Sequence, residues 1–138
     1  MTDHATPLAV LAVGHCGPDS WMLRAAAERA FGSSMRFESF EDESRLRAHL
    51  TSSDDPVLLL VNRRLDGWFD APDGIALIRD VLQDEPTGRV AMLISNLPEA
   101  LADAEAAGAM PGFGKTALQA PETSAALQAA AAALTGSA

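Results

Sequence analysis

Pro56-Val57-Leu58-Leu59-Leu60-Val61-Asn62 is the stretch whose reading decides the fold of this chain. It is an unbroken apolar run with Asp54-Asp55 before it and Asn62-Arg63-Arg64 after it. A short apolar segment between polar flanks reads as a strand buried on both faces of a parallel sheet. In such a sheet the ligand crevice opens just beyond the carboxyl ends of the central strands. Asn62 therefore stands where chemistry would be done, and it carries a neutral amide.

Outward from this strand the chain alternates. Leu8 to Val13 is a second buried-type strand, followed by Gly14-His15-Cys16-Gly17-Pro18 as turn chemistry. Asp19 or Ser20 then caps a helix from about Trp21 to Phe31 that stops at Gly32. Met35 to Phe40 alternates weakly and suits an edge strand, and Glu41 to Leu50 has the acid-first charge order that a helix dipole favours. After Asn62 comes a long loop, Arg63 to Pro72, with the aromatic pair Trp68-Phe69. A helix follows from Asp73-Gly74 to about Gln83, with Ile75, Ile78 and Leu82 as its inner stripe. Arg89 to Ser95 is a buried strand, and Asn96 with Pro98 and Glu99 starts a helix whose apolar face is Leu97, Leu101, Ala104 and Ala107. Ala109 to Gly114 is a weak strand, and Glu122 to Leu134 an alanine-rich helix before a frayed tail. Strand and helix in regular alternation imply a parallel α/β sheet sandwiched between helices, a three-layer arrangement linked by right-handed crossovers.

Bulk properties limit the function classes. The 138 residues fit one domain, 1–138 with a core over about 8–134, and 48% hydrophobic content supports a packed interior. A formal charge of -9 argues against direct binding to nucleic acid or to an anionic membrane. The single cysteine, Cys16, excludes an internal disulfide and a multi-cysteine zinc site. The amino-terminal Met-Thr-Asp-His-Ala-Thr-Pro has no secretory pattern, and no apolar run approaches the length of a membrane span, so a cytoplasmic location is the default expectation.

Three passages carry a family resemblance: PDGIALIRDVL around Asp73-Gly74, AMLISN ending the fourth strand in a hydroxyl residue, and AEAAGAMPGFGK running into Lys115. In this order and spacing the chain resembles a receiver domain of bacterial two-component signalling, over roughly Leu8 to Leu134. The resemblance implies a flavodoxin-like (βα)5 fold, a doubly wound five-stranded parallel sheet. Receivers hold Mg²⁺ on two acids after the first strand, phosphorylate an Asp after the third, and bind the phosphoryl group with a Ser or Thr after the fourth and a Lys after the fifth.

Carried over residue by residue, Ser95 matches the hydroxyl position and Lys115 the lysine position. The acid pair falls on Gly14-His15 or His15-Cys16, and the phosphoacceptor falls on Asn62; none of these is an acid. Thr116 follows Lys115 where the family usually has proline, so a cis peptide is not expected there, and the family's reporting aromatic falls on Gly112 or Phe113. The resemblance therefore implies a degenerate pseudo-receiver with no evident metal or other cofactor and no phosphorylated Asp. The function expected of it is signalling through a protein partner or a homodimer, by the fourth helix, fifth strand and last helix that receivers generally use for pairing. A small-ligand or anion switch lined by Asn62, Ser95, Lys115 and His15 is the alternative, and catalysis is not expected because no nucleophile-base-orienter set is visible.

The remaining candidates read more plainly. Lys115, the only lysine, is either a solvated surface residue or a pocket cation facing Asn62 and Ser95, and no salt partner for it is obvious. Gly112-Phe113-Gly114-Lys115-Thr116 is not a phosphate loop, because the required first glycine falls on Ala109. Cys16 reads as a small buried thiol rather than a reactive one. Asp66, Asp70 and Asp73 read as loop solvation and a helix cap before any substitute acceptor, and Trp68-Phe69 as either a partner-binding knob or a lid over the sheet's end.

Overall fold

The computed structural model describes residues 8–53, 55–85 and 88–134. The tail expected to fray after Leu134, the amino-terminal Met1–Pro7, and Asp54, Pro86 and Thr87 lie outside the described residues. Five strands, β1 (Leu8–Val13), β2 (Met35–Phe40), β3 (Val57–Asn62), β4 (Arg89–Ile94) and β5 (Met110–Phe113), form one sheet in the order β2-β1-β3-β4-β5. All neighbours are parallel. The order reverses direction between β1 and β3, which is the flavodoxin-like arrangement expected.

The central strand shows why the apolar run is unbroken. Every residue of β3 is buried, and its side chains alternate between two cores. Leu58 and Leu60 point to one face, where α1 (Gly17–Phe31) and α5 (Pro121–Leu134) supply Leu23, Ala26, Ala27, Leu127 and Ala130. Leu59 and Val61 point to the other, against Leu46 and Leu50 of α2 (Glu43–Ser52), Leu77, Ile78 and Val81 of α3 (Gly74–Asp84), and Ala100 and Ala104 of α4 (Pro98–Ala106). Each of these leucines contributes about 1.5–3 kcal/mol by leaving water. Edge strand β2, by contrast, alternates half-buried and exposed residues from Met35 to Glu38, and the alternation then breaks, with Ser39 exposed and Phe40 half-buried against the core.

Several expectations are corrected. Helix α1 starts at Gly17, with Cys16 at its N-cap and no side-chain cap, instead of at Trp21 behind Asp19 or Ser20. Pro18 belongs to the first turn, where its missing N–H costs nothing, so Gly17-Pro18 is a helix start that reads like a turn. In α3 the buried stripe is Gly74, Leu77, Ile78 and Val81, while Ile75 and Leu82 are only partly buried. The whole apolar set is broader than one stripe, and the packing partners choose which part faces inward. In α4 the N-cap is Leu97, not Asn96, and the buried face is Ala100 and Ala104. Leu97 is exposed, and Asn96 turns its side-chain oxygen to the N–H and hydroxyl of Thr116, each at 3.3 Å. Helix α5 starts one residue earlier than expected, at Pro121.

Candidate functional site

The register aligns the residues of interest on one sheet edge. Asn62, the last residue of β3, is level with Ile94 of β4, which is level with Phe113 of β5. Ser95 follows β4 directly, Lys115 follows β5 after Gly114, and Gly14-His15-Cys16 follow β1. The carboxyl edge therefore gathers every position carried over from the family pattern, but the side chains there do not form that pattern's site.

Asn62 is 9% exposed, and its amide nitrogen donates to the carbonyl oxygens of Gly14 at 2.9 Å and Arg64 at 2.7 Å. The amide works as a clamp between the end of β1 and the loop that leaves β3. A carboxylate in this orientation would turn acceptor against acceptor. Close by, Gly74 packs its Cα side against the Asn62 carbonyl, so that a Cβ there would collide with it, and its N–H donates to the Arg63 carbonyl at 2.8 Å. That contact is the physical reason for glycine at the start of α3. Asp73 caps the same helix end, its carboxylate accepting from the Ala76 N–H at 2.9 Å.

Gly14 and His15, onto which the resemblance carries the acid pair, present no carboxylate and turn away from this edge. Gly14 has φ +74°, and a Cβ on it would lie 2.6 Å from Leu65 Cδ2 and 3.1 Å from Leu65 Cα, so a side chain there is strained by its backbone and requires Leu65 to shift. Its N–H donates to Phe40 O and its carbonyl accepts from Asp66 N, both at 2.9 Å, which holds the strand ends and the loop together. His15 turns inward to 1% exposure, with Nε2 2.9 Å from the Leu60 carbonyl oxygen. Pairing with a carbonyl assigns the proton to Nε2 and leaves Nδ1 a lone-pair acceptor, which is buried with no partner among the described residues. Burial drives the His15 pKa down to about 4, opposed by the Leu60 contact; nearby Lys115 lowers it further and Asp19 opposes. The imidazole is neutral at physiological pH.

Cys16 corrects a reading. It is half-buried at the α1 N-cap, and the fully buried member of the pair is His15. The adjacent residues point apart, as extended backbone requires.

Lys115 also departs from expectation. It is neither freely solvated nor aimed at Asn62: its ammonium pairs with the Asp19 carboxylate at 2.9 Å, both side chains about one-third exposed. The hydrogen bond from Lys115 holds the Asp19 carboxyl below its usual range. Asp19 is the residue that sequence reasoning missed as part of the site. Its signal was an acid near the start of the first helix, on the edge where the only lysine was expected, but its reading as a cap candidate concealed it. Ser95 is buried, and its hydroxyl oxygen accepts from the Leu97 N–H at 3.1 Å, which shapes the turn into α4.

The loop between β3 and α3 leans the other way, toward β2. Trp68 bridges Asp42 in parallel fashion, donating to Glu41 O at 2.8 Å and accepting from Glu43 N at 2.9 Å. The Glu43 carboxylate accepts from Asp70 N at 2.9 Å and Ala71 N at 3.1 Å and pairs with Arg47 at 3.0 Å. Partial burial pushes the Glu43 carboxyl up, but these donors outweigh it and hold the group low. The two aromatics divide the roles proposed for them: Phe69 packs on the core, while Trp68 is 79% exposed. Asp66 and Asp70 are exposed on the same loop.

These side chains do not fit the Mg²⁺ that the family pattern uses. Of the positions onto which the resemblance carries the acid pair, one is a glycine at positive φ and the next a histidine turned into the core, and the nearby Asp19 carboxylate is engaged by Lys115. Among the described residues, no group of three or more His, Cys, Asp or Glu side chains could hold a metal ion. No helix among them is long and apolar enough to cross a membrane.

No protein-family model matches the chain, and no curated protein matches it significantly. Solved structures do. The non-phosphorylated receiver domain of the stress response regulator RcsB from Escherichia coli superposes with a TM-score of 0.67 at 22% identity, over 90% of this chain and 94% of that one. The RcsB response regulator from Salmonella typhimurium, in a structure concerned with DNA interaction, gives 0.67 at 22% identity over 89% of this chain. There the match spans 62% of the regulator's length. A LuxR-family two-component response regulator from Aurantimonas sp. SI85-9A1 gives 0.61 at 24% identity, over 95% and 86% of the two chains. At these identities the likeness is one of fold, and the fold is that of response-regulator receivers.

Proposed function

We propose that this chain is a degenerate receiver: a signalling module that acts through protein contact or dimerisation and does not depend on aspartate phosphorylation. The observation that carries the reading is the use of Asn62. The side chain at the acceptor position is an amide that spends its two protons on backbone carbonyls, and an amide has no carboxylate oxygen to attack phosphorus. The Asp19–Lys115 pair supports the same reading, because the cation that would meet a phosphoryl group is already neutralised within the chain. The reading includes no catalysis by the chain, no direct contact with nucleic acid at a net charge of -9, and a cytoplasmic setting. Its contact face is that of α4, β5 and α5. Intact mass after incubation with acetyl phosphate and Mg²⁺ tests it, with no phosphoryl adduct expected. An adduct on Asp66 or Asp70 would overturn it.

One observation favours a second reading, a small-ligand or anion switch at the same edge. Among the described residues His15 Nδ1 is a buried acceptor without a donor, near an ammonium paired with a one-third-exposed carboxylate. On this reading a thermal-shift screen of phosphate, nucleotides and common metabolites raises the melting temperature, and the rise is lost in Lys115→Met. No stabilisation by any of them would remove the reading.

A further inference from the structure

The outer edge of β2 is the least covered part of the molecule. Among the described residues β2 has one strand neighbour, β1, so alternate N–H and C=O groups along its six residues face away from the sheet. Three hollows run along this edge. One lies beside Met35 and Phe37, between Arg24 of α1 and His49 of α2. The second lies between Trp21 and Glu41, and the third between Phe40, Asp42 and Trp68. Helices α1 and α2 flank the strand without closing over it.

Both tryptophans of the chain border these hollows, and both are exposed, Trp21 at 73% and Trp68 at 79%. They are placed from opposite sides of the sheet, Trp21 by the first turns of α1 and Trp68 by its bridge to Asp42. A large aromatic left this open on the surface of a small domain costs apolar exposure, and tryptophan is the side chain most enriched among binding anchors. Between the two rings the charge leans acidic. Glu38, Glu41 and Asp42 line the hollows there, against the guanidiniums of Arg24 and Arg45. Arg24 is drawn to Glu28 at 3.6 Å, and Arg36, farther along the edge, is paired with Asp55.

We propose that the β2 edge, with Trp21 and Trp68, is a docking surface for an extended basic segment of a different protein, which adds to the sheet beside β2. The open backbone groups supply the main-chain bonds of strand addition, and side chains of the added strand enter the hollows on either face. Lysine or arginine on that segment meets Glu38 and Glu41 and stacks on the indole faces, which attract cations. A second copy of this chain fits poorly, because a two-fold contact would set the same acidic rim against its own image. The inference concerns a face away from Asn62 and Lys115, and it stands whether or not the chain is ever phosphorylated.

The test uses the tryptophans as reporters, since the chain has no others. The protein is titrated with a β2-length peptide alternating lysine and valine, and with an acidic counterpart alternating glutamate and valine, while indole emission and amide exchange across 35–40 are followed. The basic peptide is expected to shift the emission and slow exchange on β2, and the acidic one to do neither. Glu38→Lys with Glu41→Lys should weaken binding about tenfold, as should Trp68→Ala, each in a variant whose melting temperature is unchanged. Trp21→Phe serves as the second variant if Trp68→Ala loosens the loop. An equal response to both peptides, or binding unmoved by the charge reversals, would overturn the proposal. So would an emission shift on concentrating the protein alone with a doubling of mass in light scattering, which would make the occupant a second copy.

Discussion

The side-chain nitrogen of Asn62 lies 2.9 Å from the carbonyl oxygen of Gly14, across the boundary between the ends of β3 and β1. The same nitrogen reaches Arg64 O at 2.7 Å, so Asn62 is a structural clamp between the end of β1 and the loop that leaves β3. Asn62→Asp removes both donors and directs a carboxylate at two carbonyl oxygens. Stability at neutral pH should fall by about 2–4 kcal/mol, from lost hydrogen bonds and the desolvated charge. Urea denaturation measures it. The deficit should shrink on acidification, as the protonated acid regains one donor. A variant as stable as the natural chain at neutral pH would show that the amide does not clamp β1 to β3.

His15 sets a pH dependence whose sign is fixed by burial. Its folded pKa of about 4 lies below the ordinary 6.5. The unfolded chain therefore binds the proton more readily between those values. The stability owed to the neutral buried ring is complete above about pH 6.5 and erodes as pH falls toward 4, by about 3 kcal/mol in all. Asp19 and Glu43, both held low, lose their contributions only at more acid pH, so the upper part of the window isolates the histidine. Urea midpoints measured from pH 7 to 5 should decline for the natural chain and stay flat for His15→Gln. Parallel slopes in the two would rule out His15 as the source.

The Asp19–Lys115 pair is partly exposed, so its worth to stability is small, about 0.2–1 kcal/mol. Its effect on reactivity is easier to see. Lys115 is the only lysine, so an amine-acylating reagent modifies one side chain, and its rate can be read by peptide mass. Asp19→Asn should raise that rate several-fold by releasing the ammonium. An unchanged rate would mean that the pair does not restrain Lys115 in solution.

Glu43 ties the loop after β3 to α2 through the amides of Asp70 and Ala71. Glu43→Ala leaves those N–H groups without their acceptor and should cost about 1–2 kcal/mol. Hydrogen exchange over 68–72 should quicken well beyond the change elsewhere. If exchange quickens equally across the whole domain, the loop is not held by Glu43 in particular.

The elements and their order were legible in the chain because burial on two faces or on one leaves different patterns: β3 kept its unbroken apolar run, β2 its mixture of half-buried and exposed residues, and the acid-first charge order marked α2, though shifted by two residues. Boundaries were less so. Pro18 and Asn96 each carry chemistry that suits a turn, a first helical residue or a cap, and only the neighbours that compete for their groups decide among these. The candidate site followed the same division. That Asn62, Ser95 and Lys115 share one edge follows from strand order and spacing. That Lys115 meets Asp19 does not, since the two are far apart in sequence and approach only when β5 is laid beside β4 and α1 is folded over the sheet.

By itself the sequence determined the parallel α/β layering and the central place of Val57–Asn62, because these are properties of pattern and residue type. The tertiary structure alone decided what the residues beyond the strand ends do. Gly14 holds a positive φ beside Leu65, His15 goes inward to the Leu60 carbonyl, and Asn62 becomes a donor to β1. Each outcome depends on which backbone groups another segment leaves unpaired at that point, and those are fixed only when the segments pack.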